Sequence, residues 1–187
     1  MYEYEYSLCK NTGVRKPSWE LFAKSEKDKV SIEHILPQTP SKSYWKNHFR
    51  QFIHNEQEMN ALTGSLGNLL PLAQSINTSL QNDSFDDKKT GTTRRERGYS
   101  NGSNSEIEVA REDAWDGQRI YQRSMRLLSF MEKRWNISMT DAQKEELSFV
   151  SFVNDGRNIP DEIPEIEDHV PTRSKRKRQN NKNNSSS

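Results

Sequence analysis

The chain has 187 residues, 28 Lys and Arg against 27 Asp and Glu, and 30% apolar residues, which suits one domain with tails or two small ones, with a compact core over only part of its length. Its single cysteine, Cys9, excludes an internal disulfide framework and a structural zinc site built on several cysteines. No apolar run approaches the roughly 20 residues of a membrane span, and the acidic, aromatic start from Met1 to Tyr6 is not a secretory signal, so a cytoplasmic protein without a membrane partner is expected.

The net charge of +1 hides a division. Residues 155 to 168 hold six acidic residues and one base, and from Arg173 onward there are six bases and no acid. Residues 1 to 154 then carry 21 of each sign, so net charge does not announce nucleic-acid binding. A local cluster raises that possibility: Lys88, Lys89, Arg94, Arg95 and Arg97 fall within ten residues.

Residues 2 to 9 fit either a strand, by alternation, or the last turns of a helix. Asn11-Thr12-Gly13 and Lys16-Pro17 mark a loop, and Trp19, Leu21 and Phe22 are packing candidates. The first strand is predicted over about Val30 to Ile35. It contains Glu33 next to His34. Neighbours on a strand point to opposite faces, so this pair needs a strand end or bulge to serve one site. Pro37, which lacks an N–H, suits that strand end.

Trp45, Phe49, Phe52 and Ile53 recur with helical spacing, and Glu56 to Leu62 continues as a short helix. Thr63-Gly64-Ser65 leads into a second strand over Leu66 to Leu72, with Pro71 at an edge or strand end. A helix is predicted from Ser75 into the eighties, with Ile76, Leu80 and Phe85 facing inward. The Gly-, Ser- and Asn-rich stretch that follows reads as a mobile loop, and Ser105 to Glu108 as a capping box opening a helix to about Ala114. Ile120, Ser124, Leu127, Met131 and Trp135 mark the most regular helix of the chain. Thr140 to Gln143 is a second capping box, opening a helix that buries Leu147 and Val150. Trp45, Trp115 and Trp135 are expected in the core. The tail from residue 153 cannot bury enough apolar surface to offset its ordering entropy and is expected to be disordered.

Phosphodiester hydrolysis needs an activated water and a stabilised leaving oxygen. A histidine near its unperturbed pKa of about 6.5 can supply the first, and a divalent cation the second. Hard oxygen ligands suit Mg²⁺ or Mn²⁺. The chain offers Glu33 and Asn77 as such ligands and His34 as base, while Asn68 is placed to fasten the two strands by bonding backbone near His34. Asn68 after Gly67 also suits a plain turn. Asn77 also suits an exposed helix position, with Asn82 a competing ligand nearby. No HExxH pair exists for a zinc-protease site, and His48 and His54 read as surface residues.

Glu33-His34-Ile35-Leu36-Pro37-Gln38, then Leu66-Gly67-Asn68-Leu69, Asn77 and Phe85 to Lys88 resemble the HNH (ββα-metal, His-Me finger) nucleases. More closely they resemble the C-terminal nuclease domain of GmrSD-type, modification-dependent restriction endonucleases. The nine-residue step from Asn68 to Asn77 also matches the HNH domain of RNA-guided nucleases. Trp115, Ile120, Arg123, Leu127-Leu128 and Trp135 resemble the same family's C-terminal helices. Pro71 departs from it, standing in a stretch where members often have Thr-Leu-Leu.

The resemblance implies a small α+β fold: a ββα-metal core at 30–90 with a helical insertion, after a flanking segment at 1–29. A mobile loop at 91–104, a helical part at 105–152 and a disordered acidic-then-basic tail at 153–187 follow. It implies a DNA endonuclease using a single Mg²⁺ or Mn²⁺ in defence against modified foreign DNA. His34 would be the general base and Glu33 and Asn77 the metal ligands. Asn68 would orient the active-site loop. Lys88 would stand at a basic position that touches a phosphate. The place of Lys89, Arg94, Arg95 and Arg97 just after the proposed metal helix gives them the same expected contact, although the cluster also suits an ordinary solvated loop. It further implies a ParB-like NTPase half, expected in a separate partner subunit or a missing N-terminal half. Cutting both strands with one site takes two copies or two events, which puts a homo-oligomer among the expected forms. The alternative is a catalytically silent nucleic-acid-binding or regulatory subunit of a restriction complex.

Overall fold

The computed structural model describes residues 2–12, 17, 22, 29–92 and 97–154. Trp19, Leu21, Arg94, Arg95 and the tail from 155 lie outside them. The fold is mixed α+β and mostly helical, with a small two-stranded sheet. Its order is α1 (Tyr2–Thr12), β1 (Val30–His34), α2 (Ser43–Phe49), α3 (Glu56–Gly64), a 3₁₀ turn (Leu66–Asn68), β2 (Leu69–Ala73), α4 (Gln74–Leu80) and α5 (Phe85–Thr90). After these come α6 (Asn104–Ala110), α7 (Gly117–Trp135) and α8 (Asp141–Ser148). None of the described helices is long and apolar enough to cross a membrane.

β1 and β2 pair antiparallel, with Glu33 opposite Leu70 and His34 opposite Leu69. β2 starts three residues later than its apolar run predicts, because Leu66–Asn68 coil into a turn first. Pro71 sits opposite Ile32 in mid-strand. Among the described residues the sheet has two strands, so β2 is an edge strand there, where a missing N–H is tolerated. The helix predicted from Ser75 is two helices. It breaks after Gln81, which has φ 40°, and restarts where the Ser84 hydroxyl caps α5. Ile76, Leu80 and Phe85 all face inward as their spacing predicts.

The core gathers Ile35, Leu36, Trp45, Leu62, Leu70, Leu72, Phe85 and Trp115 around the sheet and α4. Trp135 is not part of it: the last turns of α7 run past the core and leave that ring exposed. Leu147 is likewise exposed, although Val150 just beyond α8 is buried. The capping box of α8 at Thr140 and Gln143 forms as the sequence predicts.

α7 docks on the turn before β2 at close range. The Ser124 hydroxyl accepts from Gly67 N at 2.9 Å and lies 2.8 Å from the Ser65 hydroxyl. A Cβ on Gly67 would collide with the Ile120 carbonyl and the Ser124 hydroxyl. Helix backbone cannot yield as a side chain can, so Gly67→Ala is expected to destabilise the domain by about 1–3 kcal/mol, read by chemical denaturation.

α6 starts two residues earlier than predicted and ends sooner. Its capping box is Ser103 with Glu106, not Ser105 with Glu108. Glu5 of α1 explains the choice: its carboxylate accepts from Asn104 N at 3.1 Å and Ser105 N at 2.8 Å. Glu106 is fully buried, and burial pushes its pKa up to about 7 despite the opposing pull of Arg97. The folded state thus holds this proton more tightly than the unfolded chain does. The group's contribution to stability is full below about pH 4.5 and is lost as pH rises through about 7. Wild-type stability relative to Glu106→Gln is therefore expected to fall across that window in denaturation series at stepped pH.

Candidate active site

The site is built where β1 ends. His34 is the last residue of the strand. Five hydrogen bonds hold the backbone from 34 to 36. Ile35 N donates to Asn68 O at 3.0 Å. The Asn68 side chain clamps Leu36, accepting from its N–H at 2.7 Å and donating to its carbonyl at 3.0 Å. Lys88 Nζ donates to the carbonyls of His34 (3.2 Å) and Ile35 (3.1 Å). Asn68 thus bonds backbone near His34, as its position suggests, and it is completely buried. Its amide also donates to Thr63 O at 3.1 Å and accepts from Trp115 Nε1 at 3.2 Å.

Arg123 stiffens the same point from below. Its Nη1 donates to the carbonyls of Gly67 (2.7 Å) and Leu69 (2.9 Å), one on each side of Asn68. The guanidinium is buried. Nothing local in the sequence marks Arg123 as a partner of these residues, which lie more than fifty positions away.

The His34 imidazole is half-buried and takes no hydrogen bond from the described residues. Burial, and then the Lys88 charge, hold its pKa below the usual histidine value. It is therefore neutral near pH 7 and able to accept a proton.

Asn77 lies on α4 against β1. Its Nδ2 donates to Ile32 O and to Ser31 Oγ, both at 2.9 Å. A carbonyl can only accept, and the Ser31 hydroxyl proton goes to Leu72 O, so the amide orientation is fixed. The Oδ1 atom takes no hydrogen bond among the described residues and is left available as a hard oxygen donor.

Glu33 is buried, and its Oε1 accepts from Lys88 Nζ at 2.7 Å and from the Tyr99 hydroxyl at 2.9 Å. Tyr99 falls in the stretch read from sequence as a mobile loop, yet it is fully buried. Its hydroxyl bond to Glu33 and its packing in the core tie it there.

The basic cluster does not form one phosphate-facing surface among the described residues. Lys88 is wholly buried and points at Glu33, so its expected phosphate contact gives way to an internal ion pair. Lys89 turns to the carbonyls of Glu112 (3.1 Å) and Asp113 (3.4 Å). Arg97 pairs with Glu106 at 2.6 Å. Arg94 and Arg95 are outside the described residues. His54 pairs with Glu58 on α3 at 3.1 Å and takes no part in the site.

Among the described residues no group of three or more His, Cys, Asp or Glu is placed to hold a metal ion. Glu33 and Asn77 offer instead one carboxylate and one amide oxygen. That set fits a small hard cation such as Mg²⁺, which keeps several waters and takes few protein ligands.

Residues 4–148 match the GmrSD restriction endonuclease C-terminal domain family. The chain belongs to that family. The match spans α1 to α8 and includes every described residue of the site. Membership places this GmrSD C-terminal domain with the nuclease part of restriction endonucleases. No curated protein and no solved structure matches the chain.

Proposed function

We propose that this GmrSD C-terminal domain is a ββα-metal DNA endonuclease that hydrolyses phosphodiester bonds with one Mg²⁺ or Mn²⁺, in restriction of foreign, modified DNA. The observation that carries the reading is the Asn77 amide. Its N–H₂ is spent on β1, so its oxygen is presented beside the strand that bears Glu33 and His34. Asn77 Oδ1 and the Glu33 carboxylate would hold the cation, which when bound supplies Lewis acidity at the phosphate and the departing oxygen. His34, kept neutral by burial, takes the proton from the attacking water. Asn68 and Arg123 hold the loop so that the imidazole stays aimed. An NTPase partner would decide which DNA is cut, and two copies would serve two strands.

One observation favours a second reading. Glu33 Oε1 is already taken by Lys88 and Tyr99, as expected for a silent DNA-binding subunit whose ligand position has become structural. Supercoiled plasmid separates the two. With Mg²⁺ or Mn²⁺ the nuclease converts it to nicked circles, and a chelator stops the conversion. Retention of the plasmid without cutting, unchanged by metal or chelator, would establish the silent subunit instead.

A further inference from the structure

We propose that Lys88 is a built-in counter-cation: it neutralises Glu33 in the free domain and limits how tightly the site takes its metal. The inference rests on Glu33 being a metal ligand.

Lysine is almost never fully buried unless paired, yet Lys88 has no exposed surface. Its ammonium serves three acceptors: Glu33 Oε1 at 2.7 Å and the carbonyls of His34 and Ile35 at 3.2 and 3.1 Å. The two carbonyls need only a donor, which a neutral group could provide. The Glu33 carboxylate is the partner that calls for a full positive charge. Tyr99 donates to the same oxygen, so a cation taken by Glu33 shares that carboxylate with the ammonium. A dication arriving there lies within a few ångströms of the ammonium. At that range the repulsion is large enough to shift affinity by an order of magnitude or more. A DNA phosphate at the site adds negative charge and offsets the repulsion. The free domain therefore holds its metal weakly, and metal and DNA bind cooperatively.

The test measures Mn²⁺ binding to the full chain by the electron paramagnetic resonance signal of free Mn²⁺. Lys88→Gln keeps a donor beside Glu33 but removes the charge, and is expected to bind Mn²⁺ roughly tenfold tighter than wild type or better. Glu33→Gln is expected to bind it at least roughly tenfold more weakly than wild type. Should Lys88→Gln bind no more tightly than wild type while Glu33→Gln binds more weakly, Lys88 is only a structural peg and the inference fails. Should Glu33→Gln bind like wild type, the ligand assignment itself fails. A second measurement does not depend on the Lys88 variant folding: in wild type, the Lys88 ¹⁵Nζ resonance is expected to move on Mg²⁺ addition. A stationary resonance under saturating Mg²⁺ overturns the inference.

Discussion

Replacing His34 by alanine is expected to lower DNA cleavage by at least about 100-fold while leaving the fold intact. General-base catalysis contributes about 10²–10⁴-fold, and the His34 ring sits where β1 ends, beside the proposed ligands. Stability is expected to be spared for a separate reason. The anchors of this segment act on backbone atoms of residues 34 to 36, which alanine retains. The half-buried ring itself holds no hydrogen bond among the described residues. Single-turnover cleavage and thermal melting of the same two proteins check both halves. A variant that cuts at the wild-type rate would remove His34 from the chemistry. A variant that melts far below wild type would make its role structural.

Asn68→Ala is expected to be the most damaging single change to stability, at about 3–5 kcal/mol. The residue is fully buried and its amide makes four hydrogen bonds. Each abandoned buried group costs about 1–3 kcal/mol, and partial relaxation brings the sum below the simple total. Asn68→Asp should not rescue it. Aspartate keeps the acceptor for Leu36 N and Trp115 Nε1, but turns a second oxygen toward the carbonyls of Leu36 and Thr63 and buries a charge. Variants that still fold should also cut more slowly, because the Leu36 backbone is the hinge that aims His34. Chemical denaturation gives the first quantity. A loss under about 1 kcal/mol would show that the clamp is dispensable.

The parts of this site that lie close in sequence were legible. Glu33, His34 and Pro37 demanded a strand end, and the strand ends at His34. Asn68 was expected to bond backbone near His34, and does so at Leu36. Asn68 apart, residues placed by distant partners were not legible. Lys88 reads locally as one member of a surface basic run, and its burial follows from partners more than fifty positions away, Glu33 and the carbonyls of His34 and Ile35. Tyr99 sits among glycines and serines that signal a loop, and the same carboxylate draws it in. The start of α6 was degenerate, since Ser103 and Ser105 each have a glutamate three residues later. Glu5 of α1 decides between them by capping Asn104 N and Ser105 N. Periodicity likewise marked Trp135 and Leu147 as inward-facing, but it carries no information on how far a helix runs past the core it packs on.

The central claim is that Glu33 and Asn77 hold a divalent cation beside His34. Anomalous diffraction from crystals of the domain soaked in Mn²⁺ tests it most directly. The expected result is one strong peak within about 2.2 Å of Asn77 Oδ1 and within reach of the Glu33 carboxylate. No peak at that place, in a protein that cuts DNA with Mn²⁺, would contradict it.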